Sequence, residues 1–233
     1  MKNFLFDLYG TLVDVRTDEN SQKFIKRYER YFARLGYKNF WENYSKACEE
    51  INSEDEFFEP DIFEVFKKLA PDVDEEKLNK AAYTFRKYSR SKLKLYGGAK
   101  ELLIELKKSG AKVYLVSNAQ ACFSVPELKK LKLYDLFDGI ELSSDFGRKK
   151  PCKDFFTHAL KKYGLDIGQS IYCGNDFRAD VLGAKSAGLA TAYINSNISP
   201  RDDDLEKIKE VATFATSDYK SLINYLLNES EKN

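Results

Sequence analysis

Along the first hundred residues the apolar positions change rhythm once. Phe4-Leu5-Phe6 is a short unbroken apolar run bounded by polar residues, which predicts a buried strand. From about Asp14 to Lys94 the spacing is helical. Phe24, Tyr28, Tyr31, Phe32 and Leu35 recur at three- and four-residue intervals and predict an amphipathic helix from Asp18 to Leu35, stopped by Gly36. Asn39 stands where it could cap a second helix carrying Trp41, Tyr44, Cys48 and Ile51. Pro60 suits the first turn of a third, with Ile62, Phe63, Phe66 and Leu69. Asp72 or Asp74 opens a fourth, running to about Arg90, and no strand signal interrupts this block. Its many tyrosines read as packing residues rather than ligand contacts.

After Tyr96-Gly97-Gly98 strands and helices alternate. Helices are expected over Ala99–Lys108, Glu127–Leu131, Cys152–Tyr163, Asp180–Ala187, Leu205–Val211 and Ser217–Leu227. Strands are expected over Lys112–Val116, Gly139–Leu142, Ile171–Cys173 and Ala190–Ile194, with a last short one near Phe214. Such alternation predicts an α/β fold, a doubly wound parallel sheet with helices on both faces. The first strand belongs to that sheet. The chain therefore divides into a core of residues 1–13 and 95–233 and an inserted all-helical cap, 14–94, placed over the carboxyl end of strand one. Residues 229–233 read as a frayed polar tail.

Composition narrows the function. A net charge of +1 gives no field to draw in nucleic acid or an anionic membrane, and no apolar run approaches transmembrane length. Four scattered cysteines without Cys-x-x-Cys spacing argue against a zinc site or a disulfide framework, and for reduced thiols in a cytoplasm. One histidine, His158, leaves acid, hydroxyl and lysine side chains to carry any catalysis. Oligomeric state leaves no mark in the sequence.

Polar clusters fall at the ends of four expected strands. Asp7 follows the first, with Gly10 and Thr11 just beyond it. Ser117-Asn118 follows the second, and Lys150 comes after the Ser143-Ser144 strand end. Asn175-Asp176, with Asp180, follows the fourth. Taken singly these read as a turn, a solvated lysine and a helix cap. Together they converge, because open parallel sheets bind ligands beyond the carboxyl ends of their strands. Asp7 is then a nucleophile candidate. Thr11, Ser117 and Lys150 can hold phosphoryl oxygens, and Asp176 and Asp180 supply acid where Mg²⁺ would need oxygen ligands.

The set Asp7-Leu8-Tyr9-Gly10-Thr11-Leu12, Leu115-Val116-Ser117-Asn118, Lys150-Pro151 and Gly174-Asn175-Asp176 through Asp180-Val181-Leu182-Gly183-Ala184 resembles the haloacid dehalogenase superfamily. The resemblance implies a Rossmann-like core, a helical cap inserted after the first motif and an aspartyl-enzyme intermediate on Asp7. In most members it also implies Mg²⁺-dependent hydrolysis of a small phosphorylated molecule. It places Thr11, Ser117, Asn118 and Lys150 around the substrate. It puts Asp7, the backbone carbonyl of Tyr9, and Asn175 or Asp176 around the metal, with Asp180 in support.

Two positions depart from the phosphatase pattern. Tyr9 stands where a second aspartate usually protonates the leaving oxygen and then activates water, help worth roughly 10²–10⁴-fold. Tyrosine can donate a proton but, with a reference pKa of about 10, is a poor base at neutral pH. Asn175 stands where a ligating aspartate is usual. Asp-x-Tyr-Gly-Thr is also similar to the 2-haloacid dehalogenase branch, which needs no metal and uses a cap arginine to receive its substrate; Arg27, Arg30 and Arg34 lie in that region. Three readings follow. They are a Mg²⁺-dependent phosphatase, a metal-independent dehalogenase, and a phospho-ligand binding protein that has lost turnover. Arg16, Tyr28, Trp41 and Arg90 are the cap side chains whose orientation toward the site the sequence leaves open.

Overall fold

The computed structural model describes residues 2–51 and 53–232. Six strands form its centre: β1 (Asn3–Phe6), β4 (Lys112–Ser117), β5 (Gly139–Leu142), β6 (Ser170–Gly174), β7 (Ala190–Ile194) and β8 (Phe214–Thr216). They make one parallel sheet in the order β5-β4-β1-β6-β7-β8. The period-two rule assigns each side chain to a face. Phe4 and Phe6, Val113 and Leu115, and Ile171 and Cys173 point to one side, where α5 (Ala99–Lys108) and α11 (Tyr219–Glu231) supply Leu102, Leu103, Leu106, Leu222 and Leu226. Leu5, Tyr114, Val116 and Tyr172 point to the other, onto Phe155, Phe156 and Ala159 of α8 (Lys153–Tyr163). Because both faces are covered, the strands are continuously apolar, as a doubly wound sheet requires. The chain moves from β1 outward to β4 and β5, then crosses back to β6. The carboxyl end of β1 therefore lies at the point where strand order reverses.

Four helices lie between β1 and this sheet region: α1 (Gln22–Ala33), α2 (Phe40–Glu50), α3 (Ile62–Leu69) and α4 (Glu75–Ser89). They enclose a separate aromatic cluster of Phe24, Tyr28, Phe32, Phe40, Phe66 and Phe85, joined by Phe123 of α6 (Ala121–Leu131). Phe85 is fully buried and meets Phe24 edge-on at 4.9 Å and Phe123 face-to-face at 5.9 Å.

The block expected to be free of strands has one at each end. β2 (Val13–Thr17) pairs antiparallel with β3 (Arg90–Leu95), so the chain enters and leaves the helices through a two-stranded ribbon. The polar residues interleaved in Arg90–Leu95 imitate the end of a helix, and only the distant partner strand makes them β. Asn39 precedes α2 in a left-handed conformation and makes no side-chain cap. Glu29 of α1 does that work instead, accepting from the Phe40 and Trp41 amides at 3.2 and 2.9 Å. Asp74, rather than Asp72, caps α4 through the Lys77 amide. The helix at Glu127 begins earlier, at Ala121, and carries Pro126 inside it. The helix expected from Asp180 instead starts at Phe177 as a π-helical turn to Leu182, then continues as α9 (Gly183–Ser186). The expected frayed tail is helical to Glu231, and Asn233 lies outside the described residues. No described helix is long and apolar enough to cross a membrane.

Truncating Phe85 to Ala opens a hole in the aromatic cluster and should cost about 3–5 kcal/mol. Urea unfolding followed by tryptophan fluorescence reads this through Trp41, which stacks on Phe85. A loss under about 1 kcal/mol would mean the cluster is not close-packed around this ring.

Candidate active site

Asp7, Ser117 and Asn175 are the residues directly after β1, at the end of β4 and directly after β6. Adjacent parallel strands thus bring together groups far apart in sequence. The Asp7 amide is tied to the Cys173 carbonyl at 2.9 Å, which continues the β1–β6 ladder up to the carboxylate. A tight loop follows, closed by the Leu12 and Val13 amides on the Leu8 carbonyl, both at 2.9 Å. Gly10 occupies it at φ +91°, where a Cβ would lie 2.3 Å from the Asn175 amide nitrogen, so only glycine fits this crossing of loops.

The Lys150 ammonium is the hub. It donates to Asp7 Oδ1 at 2.7 Å, to Asp180 Oδ1 at 2.6 Å and to the Tyr172 hydroxyl at 2.7 Å. Lysine is almost never this buried without partners, and here 4% of it is exposed. Ser117, wholly buried, donates a second hydrogen bond to Asp7 Oδ1 at 2.8 Å. Both donors choose the same oxygen; Oδ2 accepts from neither. Burial pushes the Asp7 carboxyl up from its ordinary value, Lys150 pulls it back, and Asp180 raises it again. Burial disfavours the Lys150 ammonium, but Asp180 and Asp7 more than offset that and raise its pKa.

Asp180 has no oxygen to spare. Its Oδ1 takes Lys150, and its Oδ2 accepts the Asn175 and Asp176 amides, both at 2.9 Å. It thereby fixes the loop after β6. A Cβ on Gly174 would collide with it at 2.3 Å. Asn118 clamps Lys150 from the backbone side: its Oδ1 accepts the Lys150 amide at 2.7 Å and its Nδ2 donates to the Lys150 carbonyl at 3.1 Å. Thr11 is fully buried and donates to Asn175 Oδ1 at 3.2 Å. Asp176 caps the π-helical turn through the Ala179 amide at 2.7 Å, and burial raises its carboxyl. Asp7, Tyr9, Asn118, Lys150, Asn175 and Asp176 line one open cleft of about 290 Å³, with Ile198 and Pro200 on its rim. The neighbouring depression shares Asn118, Lys150 and Asp176 and adds Glu56 and Phe57 from the segment between α2 and α3. That segment is held to the core, since the Lys149 amide donates to the Phe57 carbonyl at 2.8 Å.

The Tyr9 hydroxyl is taken up inside the protein. It donates to Glu127 Oε2 at 2.5 Å and meets Ser124 Oγ at 2.9 Å. Glu127 is buried on α6 and is itself clamped by Arg86 at 3.1 Å and by Arg90. Burial, then the Glu127 charge, push the phenol well above its ordinary range. Arg86 and Arg90 are thus the arginines at this cluster, and the Arg86 guanidinium also lies 5.2 Å from the Tyr9 ring centre. Arg27, Arg30 and Arg34 line clefts elsewhere on α1. Tyr28 and Trp41 belong to the aromatic cluster. His158 faces Glu141, outside the cleft.

Sequence reasoning missed Tyr172, Ser124, Glu127 and Arg86. Tyr172 reads as an apolar strand residue, and only its alternation with Cys173 hints that it faces the Lys150 side. Glu127 sits on what looks like an ordinary charged helix, and no local pattern marks it as buried.

The oxygen donors that line the cleft are hard: the carboxylates of Asp7 and Asp176 and the side-chain amide of Asn175. Among the described residues no group of three or more His, Cys, Asp or Glu side chains forms a dedicated metal cage. Mg²⁺ asks for one or two carboxylates and keeps several waters, so these donors fit it, and fit zinc poorly.

The fold and this arrangement define an α/β protein with a polar cleft at the carboxyl ends of its parallel strands. The profile of the haloacid dehalogenase-like hydrolases matches residues 4–194, and the chain belongs to that family. It is 26% identical over 142 residues to a glyceraldehyde 3-phosphate phosphatase of Methanothermobacter thermautotrophicus, covering 55% of this chain and 63% of that protein. It is 28% identical over 127 residues to a ribulose-1,5-bisphosphate 5-phosphatase of Halopiger xanaduensis, covering 54% and 52%. The matches thus span roughly half to two thirds of these relatives. Among solved structures, a HAD phosphatase from Thermococcus onnurineus superposes with a TM-score of 0.61 at 24% identity, over 97% of this chain and 98% of that one. The magnesium-bound HAD-hydrolase YfnB of Bacillus subtilis gives 0.58 at 19%, again over 97% and 98%. Both show the shared fold.

If the phenol of Tyr9 is a prop rather than an acid, Tyr9→Phe should change kcat/KM on a phosphate ester by less than about tenfold, whereas losing a working acid costs roughly 10²–10⁴. The same variant should lose about 1–3 kcal/mol of stability, because buried Glu127 forfeits a donor. A hundredfold loss of turnover with stability intact would reverse this assignment.

Proposed function

We propose that this chain is a Mg²⁺-dependent phosphatase acting on a small phosphorylated metabolite through an aspartyl-phosphate on Asp7. The observation that carries the reading is the pairing of Asp7 Oδ1 with both Lys150 and Ser117, which turns Oδ2 into the attacking atom. Oδ2 forms a bond to phosphorus and the ester oxygen leaves. The Lys150 charge faces the phosphoryl group, the Ser117 and Thr11 hydroxyls turn from Asp7 and Asn175 to its oxygens, and Asn118 keeps Lys150 in place. Water then attacks phosphorus, releases inorganic phosphate and restores the carboxylate. Mg²⁺, held by Asp7, the Tyr9 carbonyl and Asn175 or Asp176, would neutralise the phosphoryl charge beside these carboxylates. Asp180 acts by positioning Lys150 and the loop after β6. With the Tyr9 hydroxyl committed to Glu127, the leaving oxygen draws its proton from solvent, so acyl and aryl phosphates should outpace alkyl phosphates.

The reading also assigns residues 1–13 and 95–233 to the catalytic core and 14–94 to a cap, joined through the β2–β3 ribbon. The phosphatase names of the relatives support it. A metal-independent 2-haloacid dehalogenase is the second reading, favoured by Tyr9 itself. Against it stand Asp176, which would repel a carboxylate substrate, and the absence of an arginine among the residues lining the Asp7 cleft.

A panel of acyl, aryl and alkyl phosphates and 2-halo acids, each with Mg²⁺ and with a chelator, separates the readings. Phosphate release that needs Mg²⁺ and vanishes in Asp7→Asn is expected. Halide release in chelator would establish the dehalogenase. Binding of esters without product in any condition would leave a protein that holds phospho-ligands but has lost turnover.

A further inference from the structure

A cleft of about 680 Å³ lies away from Asp7. It forms where the β2–β3 ribbon meets the start of α1, and Arg16, Thr17, Ser91, Lys23 and Arg27 line it. A second cleft of about 380 Å³ continues along α1, sharing Lys23, Arg27 and Tyr88 and adding Arg30 and Arg34. Positions 23, 27, 30 and 34 fall on one face at steps of four, three and four, which aligns four cations along the groove.

An exposed cationic helix face is ordinarily just solvated. Three observations argue otherwise. Several exposed helical lysines of this chain pair with a carboxylate on their own helix or its cap, Lys46 with Glu42 at 2.7 Å, Lys67 with Glu64 at 2.6 Å, Lys77 with Asp74 at 2.7 Å and Lys108 with Glu105 at 2.8 Å, while others such as Lys80, Lys130 and Lys161 do not; in this groove every cation on the α1 face is of the second kind. Arg16, Lys23, Arg27, Arg30 and Arg34 make no such pair among the described residues. Glu29, the one acid of α1, is turned to the α2 amides. Asp18 is the single acid at the groove, and its carboxylate accepts the Asn20 amide at 3.1 Å. Second, the excess is local, since the whole chain carries a net charge of only +1. Third, Arg27 is held rather than loose: its guanidinium lies 3.6 Å from the Tyr88 ring centre. The hydroxyls of Thr17, Ser21 and Ser91 stand among these cations. A fixed guanidinium among further cations and hydroxyl donors is phosphate-binding chemistry.

We propose that this groove is a binding site, separate from the Asp7 cleft, for a small soluble polyanion bearing two or more phosphate groups. Its concavity suits a small molecule, and its position against both strands of the ribbon lets the ligand brace the two crossings between the helical block and the sheet.

Inorganic triphosphate is the probe, titrated calorimetrically without Mg²⁺ into the wild-type chain, Arg16→Ala/Arg27→Ala and Lys23→Glu. All three side chains are exposed, and thermal melting checks that each variant folds. Removing each charge-assisted hydrogen bond to the probe should weaken binding by about tenfold or more, and added salt should weaken it further. The Asp7 cleft can also take up phosphate, but neither variant touches it, so weaker binding by the folded variants reports on the groove whatever chemistry Asp7 performs. Unchanged affinity in both variants, or no binding by the wild-type chain at millimolar triphosphate, overturns the proposal.

Discussion

Everything near Asp7 depends on one buried cation. The Lys150 ammonium sits between two carboxylates that would otherwise repel each other in a dry pocket. Removing one partner from such a buried group costs about 3–5 kcal/mol, because a charge is left without compensation. Lys150 cannot hold itself there. Asn118 grips its backbone on both sides, the Tyr172 hydroxyl accepts its third N–H, and Asp180 ties it to the loop after β6. Four strand ends are therefore joined by one network rather than merely placed side by side. The same network leaves Asp7 Oδ2 as the oxygen without those donors.

The sheet was legible because its strands are covered on both faces and so read as apolar runs. Gly139–Leu142 and Ala190–Ile194 end where composition places them. The four polar strand ends were legible for the same reason, since each interrupts an apolar run. The ribbon was not. In Arg90–Leu95 half-buried residues alternate with lysines and serine, and the strand exists because Val13–Thr17 lies beside it, nearly eighty positions away. The capping of α2 was invisible for a related reason: its acceptor, Glu29, comes from the preceding helix.

Tyr9 marks the sharpest limit of sequence reading. The residue type stands apart from the second aspartate of the resembled pattern, and its hydroxyl is held by Glu127, a carboxylate whose burial no local pattern announces. A tyrosine facing solvent and one donating to a buried glutamate are the same letter. What separates them is the approach of α4 to α6, which brings Arg86 and Arg90 onto Glu127 and makes a buried acid tolerable there.

That clamp ties two motions together. Arg86 and Arg90 lie at the end of the helical block, while Glu127 and Ser124 ride on the sheet's own helix. Swinging the block away from the sheet must either tear two guanidinium groups from a buried carboxylate or carry that carboxylate along. In both cases the partner of the Tyr9 hydroxyl changes. The wall of the Asp7 cleft and the end of the helical block are consequently one connected unit, and a change in how the block sits on the sheet is felt at the residue two positions after Asp7.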